Sequence, residues 1–305
     1  MSTVTETPLT APAHAPEHPA GPSSRDRVRH ALLAAWSVGA LLYLFIPIFI
    51  IIAFSFNDNQ GRFNFTWQGF TLSHWANPFE NPDLAVALKN SLLIALFSTI
   101  LATILGTFMG LALVRYGFRG RGVVDMLVFL PLATPEVVLG AALLALFLTM
   151  AVNTGFATIV IAHTMFTISY VVVTVKARLE GMDRHIEEAA MDLGATEWTT
   201  FRKITLPMIA PGVAAAALLA SAISIDDYVI TSFNAGQTQT FPLFIFGATR
   251  QGVPPEVNVL ASALLFIVLI LMVLNVLLQR RLAARSLRRE GVDEADSAAL
   301  APARA

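Results

Sequence analysis

Six long apolar runs, almost free of charged residues, leave this chain few ways to fold. A helix needs roughly 20 residues to cross a hydrocarbon core of about 30 Å, and each run is long enough to do so. Helices are expected because lipid offers no partner to backbone N–H and C=O groups, and the alternation typical of barrel strands is absent. The predicted spans are residues 31–54, 91–114, 123–150, 156–175, 208–233 and 257–278.

The composition agrees with a bilayer as the surrounding solvent. Hydrophobic residues make up 55% of the 305 residues and charged residues only 13%, whereas soluble domains carry about 25% charged residues. We therefore expect an all-α integral membrane protein. The chain contains no Cys, which excludes disulfides and thiolate metal sites. We expect this chain to bind no metal and no cofactor.

The basic residues predict the orientation of the spans. Seventeen of the 20 Lys and Arg residues fall on one side of the membrane. They lie before the first span, in the loops after the second and fourth spans, and after the sixth span. Because cytoplasmic segments carry the excess of Lys and Arg, we expect both termini in the cytoplasm, and residues 58–89 and 234–256 outside.

The two ends of the chain differ from the spans in composition. Residues 1–24 are rich in Pro, Ala, Thr and Ser, so they cannot bury enough apolar surface to order themselves, and a disordered cytoplasmic tail is expected. The apolar run that follows is too long for a signal peptide and predicts an uncleaved first span. Residues 25–282 are expected to form the membrane domain, and residues 283–305 a cytoplasmic tail.

The longest polar stretch on the predicted inner side lies between the fourth and fifth spans. Asp183 can accept hydrogen bonds from the first free N–H groups of a helix whose early turns carry Glu187 and Glu188. Gly194 supplies the left-handed residue that ends such a helix. The sequence therefore predicts a helix over residues 183–194 on the cytoplasmic face.

Two further features of this loop favour contact with another protein. Ala189 and Ala190 give the predicted helix a smooth face that a partner can approach closely. A second short helix is expected through Trp198 and Phe201, and Pro207 suits the first turn of the fifth span.

Seven residues of the loop follow the pattern Glu-Ala-Ala, three residues, Gly, nine residues, Ile, one residue, Leu-Pro. They are Glu188, Ala189, Ala190, Gly194, Ile204, Leu206 and Pro207. This pattern resembles the EAA loop of type I ABC importer permeases, which have the MetI-like fold of six transmembrane helices. The resemblance implies that residues 177–207 are a coupling loop, whose first helix docks in a groove of a separate ATP-binding subunit. A solvated loop that caps the helix bundle is the alternative.

The energy source is expected in another chain. No phosphate-binding loop of the Gly-x-x-x-x-Gly-Lys-Ser/Thr type occurs, and the dipeptide Gly-Lys is absent. The resemblance implies a non-catalytic subunit in the inner membrane of a bacterium, with ATP and Mg used by ABC ATPase subunits. It also implies a second related permease subunit, an extracytoplasmic substrate-binding protein and contact with membrane lipid. Nucleic acid is not expected as a partner.

Other stretches resemble the spermidine/putrescine permease branch of this family. They are residues 66–72, 131–140, 170–181, 224–233 and 252–258. The similar regions cover most of the chain from about residue 67 onward and imply a polyamine as the substrate. Other small solutes of binding-protein importers, such as iron chelates, phosphonates or thiamine, remain the alternatives.

A polyamine carries several ammonium groups joined by methylene links, so its path should offer carboxylates and aromatic faces. Glu136 lies near the middle of the third span, where an acid is costly unless it faces water, a partner or a ligand. Pro131 and Pro135 precede it and each removes a helical hydrogen bond, which favours a kink or break beside a cavity. A hydrogen-bonded or protonated structural Glu is the alternative.

Asp226 and Asp227 are the other candidates for the substrate path, with Tyr228 as an aromatic neighbour. Two adjacent residues of a helix point about 100° apart, so they cannot line one narrow path equally. In a regular helix Asp227 shares a face with Ser224 and Thr231, and this more polar face predicts Asp227 as the lining residue. Interface charges without a ligand are the alternative.

Polar residues within the spans need partners in lipid. His163 and Asn275 are predicted to form interhelical hydrogen bonds.

Two competing function classes are an ion-driven secondary transporter, which leaves the coupling loop unexplained, and a membrane enzyme. No nucleophile elbow, metal-ligand cluster or paired catalytic carboxylate in the spans favours the enzyme.

Overall fold

Helices make up most of the part of the protein that the structure describes. The computed structural model describes residues 24–59, 61, 63–270, 273, 274 and 277. Within these residues the one strand-like feature is an isolated antiparallel bridge between Asn57 and Phe70. The helices are α1 (Ser24–Phe54), α2 (Ser73–Ala76), α3 (Pro82–Arg115), α4 (Arg121–Ala133), α5 (Glu136–Thr149), α6 (Phe156–Glu180), α7 (His185–Asp192), α8 (Glu197–Thr200), α9 (Leu206–Asp226), α10 (Val229–Asn234), α11 (Phe241–Gln251) and α12 (Pro255–Ile270).

The chain divides into two compact units, residues 1–51 and residues 52–305. The first unit contains most of α1, a long apolar helix, and the core and the sites described below belong to the second. Residues 1–23 of the predicted tail at 1–24 lie outside the described residues. Asn275 and the predicted tail at 283–305 also lie outside them.

Four helical stretches in the described residues are long and apolar enough to cross a membrane. They are α1, α3, α6 and the stretch Glu197–Asp226. A fifth crossing is obtained if α4 and α5, which meet at an angle of 110°, are counted together. The predicted sixth span, 257–278, extends beyond the described residues, and its described part includes the shorter apolar helix α12. The six predicted spans thus correspond to four or five crossings in this part of the chain.

The core of the second unit lies where α3, α6 and α9 pack together. Small residues spaced four apart on α3, namely Ala102, Gly106 and Gly110, are buried and let α6 approach closely. A Cβ added at Gly106 would lie 2.7 Å from Cγ1 of Val171. Ala102 and Val171 share one apolar cluster with Ile209 of α9.

Two predicted spans are broken in the middle. The third span ends its first half at Ala133, because Pro135 lacks an N–H and holds the preceding Thr134 in an extended conformation with ψ 133°. The predicted kink is therefore a full break, and α5 starts at Glu136. The prediction of a continuous fifth span over 208–233 is wrong: α9 ends at Asp226, and α10 starts at Val229.

The start of the fifth span also differs from the prediction. α8 and α9 are not separate, because a π-helix over Phe201–Thr205 joins them into one continuous stretch. Leu206 donates its N–H to the Phe201 carbonyl, five residues back. Pro207 follows directly, and a proline ring displaces the carbonyl four residues before it, which accounts for the wider turn at this point.

Candidate functional site

The coupling loop starts with α7, which is shorter than the predicted helix over 183–194. Asp183 Oδ1 accepts a hydrogen bond of 3.0 Å from the His185 N–H. This contact confirms that the Asp183 carboxylate satisfies a free donor at the beginning of the helix. Because Asp183 and Arg184 precede the helix, its regular part begins two residues later than predicted.

The C-terminus of α7 has the predicted left-handed glycine. Gly194 has φ +87°, and its N–H donates to the Met191 carbonyl at 2.9 Å while the Ala195 N–H donates to the Ala190 carbonyl at 3.1 Å. These two bonds form a Schellman motif, which satisfies carbonyls at the helix end. A Cβ at Gly194 would meet no atom within 4 Å, so the backbone conformation alone selects glycine here.

The two glutamates at the beginning of α7 face opposite ways. Glu187 is buried, and its Oε1 accepts from Nη2 of Arg115 at 3.0 Å and from Oγ1 of Thr205 at 2.6 Å. Glu188 is exposed and pairs loosely with Nε of Arg184 at 3.6 Å. The two residues, predicted together as coupling residues, therefore have different surroundings: Glu187 joins α7 to α3 and the π-helix, and Glu188 faces outward.

The exposed surface of the coupling loop carries large apolar side chains among its charged residues. Leu193 is 90% exposed and Trp198 is 64% exposed, and Ala189 beside them is exposed as well. Large apolar side chains left exposed in a short polar loop are consistent with a contact site for another protein. Leu206 and Pro207 also lie at the surface, at the start of α9.

All four residues predicted for the substrate path line one cavity. The break between α4 and α5 places Glu136 there, and the break between α9 and α10 places Asp226, Asp227 and Tyr228 there. The cavity has a volume of about 430 Å³. Its lining residues are Glu136, Phe166, Tyr170, Ala222, Ile223, Asp226, Asp227, Tyr228 and Val229.

Two aromatic lining residues were missed by the sequence reasoning. Phe166 and Tyr170 lie on α6, and their ring centroids are 5.4 Å apart in an edge-to-face arrangement. Their spacing of four residues places both on one face of a helix, which is the signal that could have identified them. They complete a cavity with three carboxylates and three aromatic rings.

A second cavity of about 500 Å³ shares Asp226 and Tyr228 with the first. Its other walls come from α11, α12 and Ile225 of α9. The centroid of the Tyr228 ring lies 4.6 Å from that of the Phe246 ring, and the Arg250 guanidinium lies 5.1 Å from the centroid of Phe246. Asp226 and Tyr228 therefore separate the two cavities.

The two aspartates, of which the sequence favoured Asp227 as the lining residue, differ in their surroundings. Asp226 is exposed to the cavities, and no hydrogen bond or ion pair joins it to any described residue. The Asp227 side chain is only 5% exposed, and its Oδ1 accepts from the Thr231 N–H and hydroxyl at 2.8 and 3.0 Å. The regular helix on which that preference depended is absent, so Asp226 is the freer carboxylate.

His163 forms the predicted interhelical hydrogen bonds. Its two ring nitrogens contact Ser224 Oγ at 2.7 Å and Thr231 Oγ1 at 2.8 Å. Within the part of the chain that the structure describes, no three His, Asp or Glu side chains are grouped so as to hold a metal ion.

Comparison with known proteins gives consistent matches. A family model described as the binding-protein-dependent transport system inner membrane component matches residues 102–288. The chain is 41% identical over 240 residues to the spermidine/putrescine transport system permease protein PotC of Haemophilus influenzae, covering 78% of this chain and 93% of that protein. It is 37% identical over 242 residues to the putrescine transport system permease protein PotI of Escherichia coli, covering 75% and 85%.

Solved structures agree in fold. A bacterial ABC transporter involved in the import of the acidic polysaccharide alginate matches with a TM-score of 0.60 and 17% identity, covering 84% of this chain and 98% of that chain. The alginate transporter in complex with an alginate pentasaccharide-bound periplasmic protein matches with a TM-score of 0.59. At this level of identity the likeness concerns the fold alone.

Proposed function

This chain belongs to the family of binding-protein-dependent transport system inner membrane components, and from that membership we propose that it is a permease subunit through which an ABC importer takes up polyamines. The predicted all-α, MetI-like permease fold is confirmed, and the chain is a transport subunit and not an enzyme. It is an inner-membrane component of a bacterial transport system. Six spans and two cytoplasmic termini, with the membrane domain at 25–282, are part of the proposal.

The cavity at the two helix breaks supports a polyamine as the cargo. An ammonium group leaving water needs a carboxylate or an aromatic face as a replacement for its hydration. Asp226 has no partner among the described residues and lines both cavities, so it is free to meet an incoming cation. Phe166, Tyr170 and Tyr228 offer surfaces for the methylene links. The relatives named for spermidine and putrescine transport favour the same class of substrate.

The coupling loop supports an ATPase as the partner on the inner side. Glu188, Ala189 and Leu193 are exposed on α7, where they can enter a groove of another protein. Glu187 holds the same helix to Arg115 at the end of α3, so a displacement of α7 would be passed to a membrane-spanning helix. We therefore propose that residues 177–207 receive the movement of a separate ATPase, which uses ATP and Mg.

The remaining partners follow from the family. A second related permease subunit would complete the translocation path, and an extracytoplasmic binding protein would deliver the substrate from outside. The alginate transporter solved with a periplasmic protein shows that a protein of this fold can work with such a partner.

The proposed function is tested by reconstituting the complete transporter in lipid vesicles and measuring uptake of labelled spermidine and putrescine. We expect uptake that requires ATP and the binding protein and that is suppressed by an excess of either unlabelled polyamine. Uptake without ATP would contradict an ABC importer. ATP-dependent uptake of thiamine, a phosphonate or an iron chelate, with no competition by polyamines, would agree with an ABC importer but contradict a polyamine as its substrate.

A further inference from the structure

A chain of buried polar side chains connects four helices beside the acidic cavity. Ser98 of α3 lies 3.0 Å from Ser224 of α9, which contacts Nδ1 of His163 on α6 at 2.7 Å. Nε2 of His163 contacts the Thr231 hydroxyl of α10 at 2.8 Å, and this hydroxyl reaches Oδ1 of Asp227 at 3.0 Å. Nε2 itself lies 3.6 Å from the same carboxylate oxygen.

These side chains are almost inaccessible to solvent. Ser98 and Thr231 are 0% exposed, His163 is 2% exposed and Ser224 is 3% exposed. Buried polar groups in a membrane-spanning bundle are costly unless they have partners. Each of these hydrogen-bonded side chains has a partner, and the last of them, Asp227, lines the cavity.

The number of available protons sets the donor-to-acceptor direction of the hydrogen bonds along this row of polar side chains. An ionised carboxylate only accepts, so Thr231 spends its single hydroxyl proton on Asp227. Nε2 of His163 must then donate to Thr231, and in a neutral ring Nδ1 accepts from Ser224. Ser224, whose own proton goes to Nδ1, can accept from Ser98 at 3.0 Å, and the Ser98 hydroxyl also lies 3.3 Å from the Ala95 carbonyl. Every hydrogen bond of the chain can thus point toward Asp227.

The same histidine spans a break in the backbone. Ser224 lies in the last turn of α9 and Thr231 in the first turn of α10, on either side of the break at 227–228. The two ring nitrogens of His163 fix these two ends at a set separation. Because Asp226 and Tyr228 lie at the same break, their positions in the cavities depend on it.

We propose that His163 is a positioning residue for the acidic cavity. It bridges the two ends of the broken span and directs hydrogen-bond donors at Oδ1 of Asp227. No hydrogen bond within the described residues engages Oδ2 of Asp227, so this oxygen is available to a ligand in the cavity. This inference rests on the proposed function, because a cation in the cavity is what the positioned carboxylates would bind.

The test measures KM and Vmax of labelled spermidine uptake by the complete transporter in vesicles. His163→Leu removes both contacts of the ring, and Thr231→Val removes the link to Asp227 with little change in volume. We expect either change to raise KM about tenfold, the effect of one hydrogen bond to a charged group, with Vmax changed less than twofold. The matched control is Thr107→Val on α3, since Thr107 is also buried but its hydroxyl has no partner in the described structure. It should leave both constants unchanged.

Asp227→Asn supplies the second arm of the test. If His163 acts through Asp227, His163→Leu should raise KM far less in the Asp227→Asn background than in the wild type. Equal effects in both backgrounds, a fall in Vmax alone, or equal behaviour of Thr231→Val and Thr107→Val would overturn the proposal.

A third readout does not depend on the substrate. Amide hydrogen exchange over residues 227–234 should become faster in His163→Leu and Thr231→Val but not in Thr107→Val, because the bridge across the break is lost. Unchanged exchange in both variants would reject the bridge. If the wild type takes up no polyamine, the proposed function fails, and this measurement still decides whether His163 holds the break.

Discussion

Nη2 of Arg115, the last residue of α3, donates a 3.0 Å hydrogen bond to Oε1 of Glu187 on α7. Their side chains are only 12% and 10% exposed. Removing one partner of a buried ion pair leaves an uncompensated charge at a cost of about 3–5 kcal/mol. The pair therefore fixes the coupling helix to a membrane-spanning helix.

Changing this pair should separate the roles of two neighbouring glutamates. Glu187→Gln removes the buried charge, so we expect a lower unfolding temperature of the purified transporter together with weaker substrate-stimulated ATP hydrolysis. Glu188→Gln alters an exposed residue whose ion pair contributes at most about 0.5 kcal/mol, so the unfolding temperature should stay unchanged while ATP hydrolysis is weakened. Thermal unfolding of each purified variant measures the unfolding temperature, and an ATPase assay measures the substrate-stimulated ATP hydrolysis. Equal loss of thermal stability in the two variants would contradict the assignment of Glu187 to the interior and Glu188 to the surface.

The end of the coupling helix gives a graded prediction. Gly194 has φ +87° and open space around its Cβ position, so substitutions are penalised by backbone conformation alone. A non-glycine residue costs about 1–2 kcal/mol in this region, Asn tolerates it better, and a β-branched residue is worst. We expect ATP-driven uptake to decrease in the order Gly, Asn, Ala, Val at position 194, with the spans still inserted. Equal uptake by Gly194→Val and Gly194→Asn would show that the left-handed turn does not matter for coupling.

The carboxylates of the cavity should control affinity for the substrate. Asp226→Asn keeps size and removes charge, and we expect KM for polyamine uptake to rise at least about tenfold, equal to about 1.4 kcal/mol. Asp227→Asn and Glu136→Gln should act in the same direction. Asp83→Asn is the matched control, because Asp83 lies exposed in the first turn of α3, away from the cavity. Near-normal KM in all three cavity variants would make these acids structural.

The orientation of the chain can be tested with single cysteines, since the chain has none of its own. Phe65, at 71% exposed, and the exposed Gln237 are suitable outer positions, and the exposed Gly117 is a suitable inner one. Asn64 would be a poor choice, because its side chain is buried and bonded to Asn57. We expect an impermeant thiol reagent to label the two outer positions in intact cells and Gly117 only after permeabilisation. The reverse pattern would invert the proposed topology.

Local patterns in the sequence were sufficient for much of this protein. The apolar runs predicted the helices and the bilayer, because backbone polar groups in lipid must be satisfied within each segment. The spacing of Glu188, Gly194 and Pro207 resembles the coupling loop of the family, and Gly194 adopts the left-handed conformation that the end of its helix requires. The four residues predicted for the substrate path, Glu136 and 226–228, do meet in one cavity.

The tertiary structure alone decided where the fifth span breaks and which way each side chain faces. Helical periodicity favoured Asp227 over Asp226, but the break leaves both aspartates in the cavity, and the Asp227 carboxylate bonds to Thr231 and lies beside His163 of another helix. Glu187 and Glu188 are alike in sequence, yet only Glu187 meets Arg115, a residue 72 positions earlier in the chain. The contact of Asp227 with His163 and the buried ion pair of Glu187 both depend on groups from other helices, and the sequence of a single segment does not show which distant groups will pack against it.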